Sequence, residues 1–341
     1  MRGRIFWGGV MVVGGLWVGG DFGRAVDLGD AGLARKLAGL NERYGVGERV
    51  RFVAGEGGLV CADVHTAACS GRVYLQGAHV AAWQPTGEDG GREPVLMMSG
   101  KSAYAAGVAM RGGVPVVFPW FGGKADDPQA PGHGLVRTKE WAVESVRGGD
   151  NDSVVMTFVV KSDAETKRWW PGDFELREVV TMGRELGIEL RVKNTGTGPM
   201  TFEEGLHNYF AVDDVEKVRV TGFEGAKYID KVDGRKEKTQ SGAIVFHGET
   251  DRIYEKTKGP YQIVDDGEGG WKRTIVLEKR GSVTGVVWNV GGSKPVADFG
   301  EGDWRRYVCV ETANLGDDAV TAKAGEEVSM AERVRVEKSR D

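Results

Sequence analysis

Two stretches of this chain carry the residue types of a proton-transfer pair. His207 lies in Glu203-Glu204-Gly205-Leu206-His207-Asn208-Tyr209-Phe210. On a strand, Gly205, His207 and Tyr209 share one face. An imidazole beside an aromatic and a glycine suits the wall of a sugar cleft, and it can gain or lose a proton near neutral pH. The alternative is a histidine on a solvated sheet face. Glu311 ends the run Tyr307-Val308-Cys309-Val310-Glu311. A carboxylate at the end of an apolar strand is costly to bury without a role, which makes it a candidate general base. The alternative is a strand-end glutamate in solvent.

Other stretches offer ligand-holding groups. In Met110–Gly122, MRGGVPVVFPWFG, two prolines cannot both sit inside a central ladder, so the segment reads as a rigid, irregular loop. Arg111 beside Gly112-Gly113 can present a guanidinium to an anion while the backbone approaches closely. A structural turn with a surface arginine is the competing reading. In Pro131-Gly132-His133-Gly134-Leu135-Val136-Arg137, the glycines around His133 leave room for a ligand or another chain segment. Asp251 in Thr250-Asp251-Arg252-Ile253-Tyr254 is suited to orienting a histidine or binding a hydroxyl. Asn289 follows Trp288, and tryptophan faces stack on pyranose rings.

These groups must be placed by strands. Leu186, Ile188, Leu190 and Val192 alternate with polar residues, as do Val154, Met156, Phe158 and Val160. Val328, Met330, Val334 and Val336 predict a closing strand. Further short β-rich runs fall at Arg51–Val53, Val73–Leu75, Phe174–Met182, Thr201–Phe210, Ile244–Phe246, Thr274–Leu277 and Val283–Trp288. The best helix is Asp30–Tyr44, with Asp30 as cap, Leu33, Leu37 and Leu40 on one face and Gly45 as stop. The 54 glycines fit many turns between short strands. The fold predicted is all-β, a large antiparallel sandwich, with residues 26–44 as a helical lead-in and 45–338 as one catalytic domain.

Composition excludes several classes. A net charge of −5 with no dominant basic patch argues against a nucleic-acid partner. The three cysteines, Cys61, Cys69 and Cys309, make no disulfide framework and read as buried thiols. Residues 1–25 pair Arg2 and Arg4 with an apolar run and a small-x-small site at Gly23-Arg24-Ala25. That is the layout of a signal peptide, with a mis-assigned start as the alternative. No stable membrane association is expected beyond this leader.

Taken in order, RGGVPVVFPWFG, PGHGLVR, LHNYF, TDRIY, VVWN and YVCVETAN resemble the hexose-6-phosphate mutarotase (glucose-6-phosphate 1-epimerase) family, a relative of the aldose 1-epimerases. LQGAHVAAWQP and the Ser99–Lys101 region fit its N-terminal part, so the resemblance covers about residues 45–335. It implies a sandwich of the galactose-mutarotase type. It implies His207 as acid and Glu311 as base, His133 as a substrate-binding or second catalytic histidine, and Asp251, Arg111 and Arg137 as substrate contacts, with the arginines on a phosphate or on sugar hydroxyls; Lys101 and Asn289 are further candidate contacts. It implies a monomer acting on a hexose 6-phosphate without cofactor. One departure is that Val290-Gly291-Gly292 stand where the family has Pro-Trp. The inferred substrate places the protein in the cytosol; a genuine leader would place it in the periplasm or outside the cell.

Mutarotation needs one group to take the anomeric hydroxyl proton and another to protonate the ring oxygen. Ring opening, bond rotation and reclosure then exchange the anomers. A protonated His207, favoured by a carboxylate such as Asp251, would be the acid. Three rivals remain. One is the same reaction on free hexoses, the second is a sugar-binding module without catalysis on the same fold, and the third is a metal site using His133 and His207.

Overall fold

Strict period-two patterning produces one regular sheet, and its absence produces a second, irregular one. The computed structural model describes residues 29–87, 93–266 and 271–338; the leader at residues 1–25 lies outside them. The regular sheet has eight antiparallel strands in the order Val218–Thr221, Tyr261–Asp266, Lys272–Arg280, Glu327–Lys338, Leu186–Asn194, Phe174–Met182, Val154–Lys161 and Ala142–Gly148. Phe174, Leu176, Val180 and Met182 from one strand, with Leu186, Ile188, Leu190 and Val192 from the next, face a common core. Their polar neighbours face outward, as a period of two requires.

The opposing sheet runs Lys236–Thr239, Lys227–Asp230, Thr250–Tyr254, Thr284–Asn289, Tyr307–Asn314, Glu204–Leu206 and Val116–Val117, with Tyr209–Ala211 also paired to Tyr307–Asn314. Four more strands, from Val50–Ala54 to His79–Pro85, form a meander, and Met200–Phe202 pairs with Val320–Ala322. Side chains from both large sheets and the meander join in one apolar cluster. This is the antiparallel sandwich expected.

Several expectations shift in detail. The run Thr201–Phe210 is not continuous but three short strands, because His207 and Asn208 break the ladder. Ile244–Phe246 forms no strand; Ile244 makes a single bridge to Val220. Glu311 does not end its strand, which continues to Asn314. The helix begins at Gly29, so Asp30 lies in its first turn and does not precede it. Leu33, Leu37, Leu40 and Tyr44 pack on the core as expected, and Gly45 donates back to the Asn41 carbonyl at 2.9 Å. The Asn41 amide bonds both backbone groups of Phe52 at 2.8 Å, pinning the helix to the first strand. A short helix, Ala164–Trp169, carries a capping box of Asp163 and Thr166 that sequence reading missed. All three cysteines are buried free thiols. Among the described residues, no helix is long and apolar enough to cross a membrane.

Candidate active site

The irregular sheet owes its breaks to the loop 110–122. Only Val116–Val117 pairs as strand, and the Phe118–Pro119 bond is cis. Gly113 has φ +61°, and a Cβ there would lie 2.4 Å from the Val80 carbonyl oxygen and 2.6 Å from His79 Nε2. Gly134, at φ +78°, would meet the Phe118 carbonyl oxygen at 1.9 Å. Both positions therefore require glycine sterically as well as conformationally. The close approach is by chain, one of the two possibilities for the His133 glycines. It anchors loop 131–137 against loop 118–122, with the His133 N–H donating to the Gly122 carbonyl at 2.6 Å.

This anchoring brings distant residues together. His207 donates its backbone N–H to Pro115, and Tyr209 donates to Gly113, so the loop holds the break in the ladder. Across it, Tyr209 pairs with Cys309, and Cys309 and Glu311 share a face of Tyr307–Asn314. His207 Nε2 lies 3.5 Å from Glu311 Oε1. Glu311 is 1% exposed and His207 8%. His207 Nδ1 and both Glu311 oxygens have no hydrogen-bond partner. Buried polar atoms are nearly always satisfied, and here the unpartnered ones belong to an imidazole and a carboxyl that face each other.

Aromatic rings surround the imidazole. Tyr209 stacks on His207 with centroids 4.9 Å apart, Phe121 lies parallel at 6.3 Å, and Trp288 and His133 meet it edge-on at 5.9 and 5.2 Å. Phe121, Trp288 and His133 are half-buried, so they form walls above a buried floor. Phe121 was not singled out by sequence. Glu203 fixes it by accepting from its N–H at 2.7 Å.

The electrostatics favour the neutral forms of His207 and Glu311. Burial, then His133 and Arg111, pushes the His207 pKa well below its ordinary value. Burial, then Asp251, pushes Glu311 well above the usual carboxylate range. His133 is held down to about 3 by burial and by Arg137, Arg111 and Lys231. The expected help from Asp251 to a protonated His207 is not what the structure gives. Asp251 is paired with Lys231 at 2.7 Å and acts instead on Glu311.

The two arginines differ. Arg111 donates from Nε to Asp298 at 3.0 Å and from Nη1 to the Tyr209 hydroxyl at 2.8 Å; Nη2 also lies 3.0 Å from Asp298. Its guanidinium sits over the Phe299 ring at 5.2 Å. Arg137 donates from Nη2 to the Gly132 carbonyl at 2.7 Å, while its Nε is buried and unpartnered. No carboxylate among the described residues contacts Arg137. Lys101 is exposed on a turn whose Ser102 hydroxyl accepts from the Arg111 N–H. Asn289 is 1% exposed, and its amide is taken up by Trp304, Tyr307 and Gly291. It shapes the loop after its strand, and both its amide hydrogens are already used. Val290 is buried with Tyr209, Phe299 and Tyr307. Phe299 and Asp298, which sequence gave no reason to choose, thus form the outer wall.

Behind the floor lies a buried polar layer. The Asn208 amide donates to Val310 at 3.2 Å and to Glu332 at 3.0 Å. It thereby joins the residue after His207 to the residue before Glu311. Burial raises Glu332 to about 7 and Glu178 well above its ordinary value.

Residues 63–335 match the family model described as aldose 1-epimerase. The chain belongs to the aldose 1-epimerase family. It is 35% identical over 267 residues to an Escherichia coli K12 protein provisionally named glucose-6-phosphate 1-epimerase, covering 77% of this chain and 86% of the relative. A plant relative from Cenchrus ciliaris with the same provisional name is 32% identical, over 76% of this chain and 79% of the other. Among solved structures, a Salmonella typhimurium protein provisionally called a mutarotase superposes with a TM-score of 0.78 at 31% identity, over 86% of this chain and 96% of that one. As a member of this family, the chain is an isomerase, and the sandwich is the galactose-mutarotase fold.

Proposed function

We propose that this epimerase interconverts the α and β anomers of a hexose 6-phosphate, with glucose 6-phosphate as the preferred substrate. The observation that carries the reading is the unpartnered His207–Glu311 pair, 3.5 Å apart at the floor of an aromatic-walled cleft. Aromatic faces suit the apolar faces of a pyranose, and the two unpartnered groups suit its anomeric hydroxyl and ring oxygen. The names of the E. coli and Cenchrus relatives support the phosphorylated substrate.

Glu311 takes the anomeric hydroxyl proton and His207 protonates the ring oxygen; reclosure on the other carbonyl face reverses the steps. Burial favours the proton on Glu311, so the charged form of the pair arises by moving that proton to His207. The two forms carry equal numbers of protons, so the pair titrates as a unit. A dianionic phosphate near Arg137 favours the protonated imidazole and so the reactive form. Arg137 is the better anion anchor, because its Nε is unused while Arg111 is engaged by Asp298 and Tyr209. Each charge-assisted hydrogen bond to the phosphate contributes about 1.5–3 kcal/mol.

Asp298 also favours a second reading. A carboxylate beside Arg111 is a natural acceptor for sugar hydroxyls, so free hexoses are the alternative substrates. Anomer exchange followed by NMR on glucose, galactose and their 6-phosphates decides between them. Faster catalysed exchange of the 6-phosphates supports the first reading, and preference for free sugars supports the second. Exchange no faster than in buffer for all four would sink both.

A further inference from the structure

Cys309 takes no part in the proton transfers, yet it stands beside both groups that do. One donor atom each from His207, Cys309 and Glu311 lies within 4.8 Å of the other two. Cys309 and Glu311 are at most 1% exposed. The nitrogen and carboxylate oxygen closest to each other are 3.5 Å apart. Zinc binds nitrogen and oxygen at about 2.0–2.2 Å and sulfur at about 2.3 Å in a tetrahedron, which sets neighbouring donors roughly 3.4–3.6 Å apart. The His207–Glu311 spacing already meets that requirement. The longer spans to the cysteine need to contract by roughly 1 Å. His133, weighed with His207 as a rival metal pair in the sequence, is not part of this cluster.

We propose that His207, Cys309 and Glu311 form a capture site for a thiophilic divalent cation of the Zn²⁺ type, and that its occupation closes the cleft to sugar. Three arguments support this. The Glu311 oxygens have no protein hydrogen bond to lose on coordination. A thiolate and a carboxylate with a neutral imidazole balance the ion's two charges, so the buried assembly is neutral. A water can supply the fourth ligand that a tetrahedral ion needs. Binding releases the thiol proton to solvent, together with the carboxyl proton when Glu311 carries one, so affinity rises with pH. Thiolate coordination selects Zn²⁺ or Cd²⁺ over Mg²⁺ and Ca²⁺. The ion occupies both catalytic groups, so it inhibits and does not assist the reaction.

The test uses the full chain freed of metal by chelator. Calorimetry with Zn²⁺ should show one ion bound per chain. Hexose 6-phosphate should compete with it, and Mg²⁺ at the same concentration should have no effect. Zn²⁺ should abolish NMR anomer exchange, and EDTA should restore it. Cys309→Ala should keep basal exchange while Zn²⁺ affinity falls at least about 100-fold. Co²⁺ in the wild-type chain should give the ultraviolet absorption of a thiolate–metal bond, a readout independent of any variant's folding. Equal Zn²⁺ affinity in Cys309→Ala, no saturable Zn²⁺ binding to the wild type, or Co²⁺ binding without that absorption would each overturn the site. The binding measurements need no turnover, so they stand or fall separately from the proposed reaction.

Discussion

The two large sheets face the same core but answer to different demands. The regular sheet has strands as long as Glu327–Lys338, and its inward positions are mostly aliphatic. The cleft sheet is built of pieces such as Glu204–Leu206 and Tyr209–Ala211, interrupted where His207 must reach the floor. Burial is equally deep in both. Every residue of Tyr307–Asn314 is buried, including Glu311, Thr312 and Asn314. The difference lies in what surrounds the buried carboxylates. Both sheets bury carboxylates with unpartnered oxygens, Glu178 and Glu332 on the regular sheet and Glu204 and Glu311 on the cleft sheet, but Glu311 alone of these lies beside an imidazole in an aromatic-walled cleft. Pattern regularity thus marks scaffold, and its local failure marks the place where chemistry is arranged.

The sharpest way to break this comparison is to disarm the cleft while leaving the scaffold alone. Glu311→Gln and His207→Gln should each lower catalysed exchange by about 10²–10⁴-fold with the thermal midpoint nearly unchanged. Wild-type rates in both variants would remove the pair from the mechanism. The reciprocal experiment is Ile188→Ala on the regular sheet. It should cost roughly 2–5 kcal/mol of stability by denaturant titration, yet leave turnover per folded molecule intact. A large loss of turnover there would mean that the sheets are not separable.

A smaller effect tests the arginines. Arg137→Met should raise KM for the hexose 6-phosphate by about 10–150-fold, matching the loss of roughly 1.5–3 kcal/mol, with little change for free hexose. Equal losses for both sugars would move the anion anchor elsewhere.

A pH effect of similar size is expected behind the floor. Glu332 is raised to about 7 in the folded chain, from an ordinary value of 4.5. Between those values the folded chain holds a proton that the unfolded chain has released. The group's contribution is therefore most favourable below pH 4.5, declines as pH rises to about 7, and is level above. Glu332→Gln imitates the protonated acid. Its stability relative to wild type should climb across that same interval in urea titrations, and a difference independent of pH would mean an unshifted carboxyl. Smallest is Lys227→Ala, which loses an exposed pair with Glu237 and should change stability by less than about 1 kcal/mol.

Legibility followed the same division. Phe174–Met182 could be read from alternation alone, because its register is local information. His207 and Glu311 could be chosen by residue type, and their motifs carried the family. Their meeting could not be read, since it depends on pairing across the sheet. Arg111 finding Asp298, 187 residues away, left no local trace. Asn289 misled for a related reason. An amide beside tryptophan looks like a sugar contact until the loop it closes on is seen.

That loop has a consequence of its own. Between Asn289 and Tyr307 the chain leaves the sheet, builds the outer wall with Phe299, and is tied back by Asp298 to Arg111 and by Asp303 to the Ser99 hydroxyl. His207 and Glu311, the proposed proton-transfer pair, lie beside and on the sheet strands and not in this excursion. On the proposed reading, the outer wall and the proton-transfer pair are thus written on separable parts of the chain. A lineage, or an engineer, can recut the rim for a differently sized or uncharged sugar while the floor keeps its reaction.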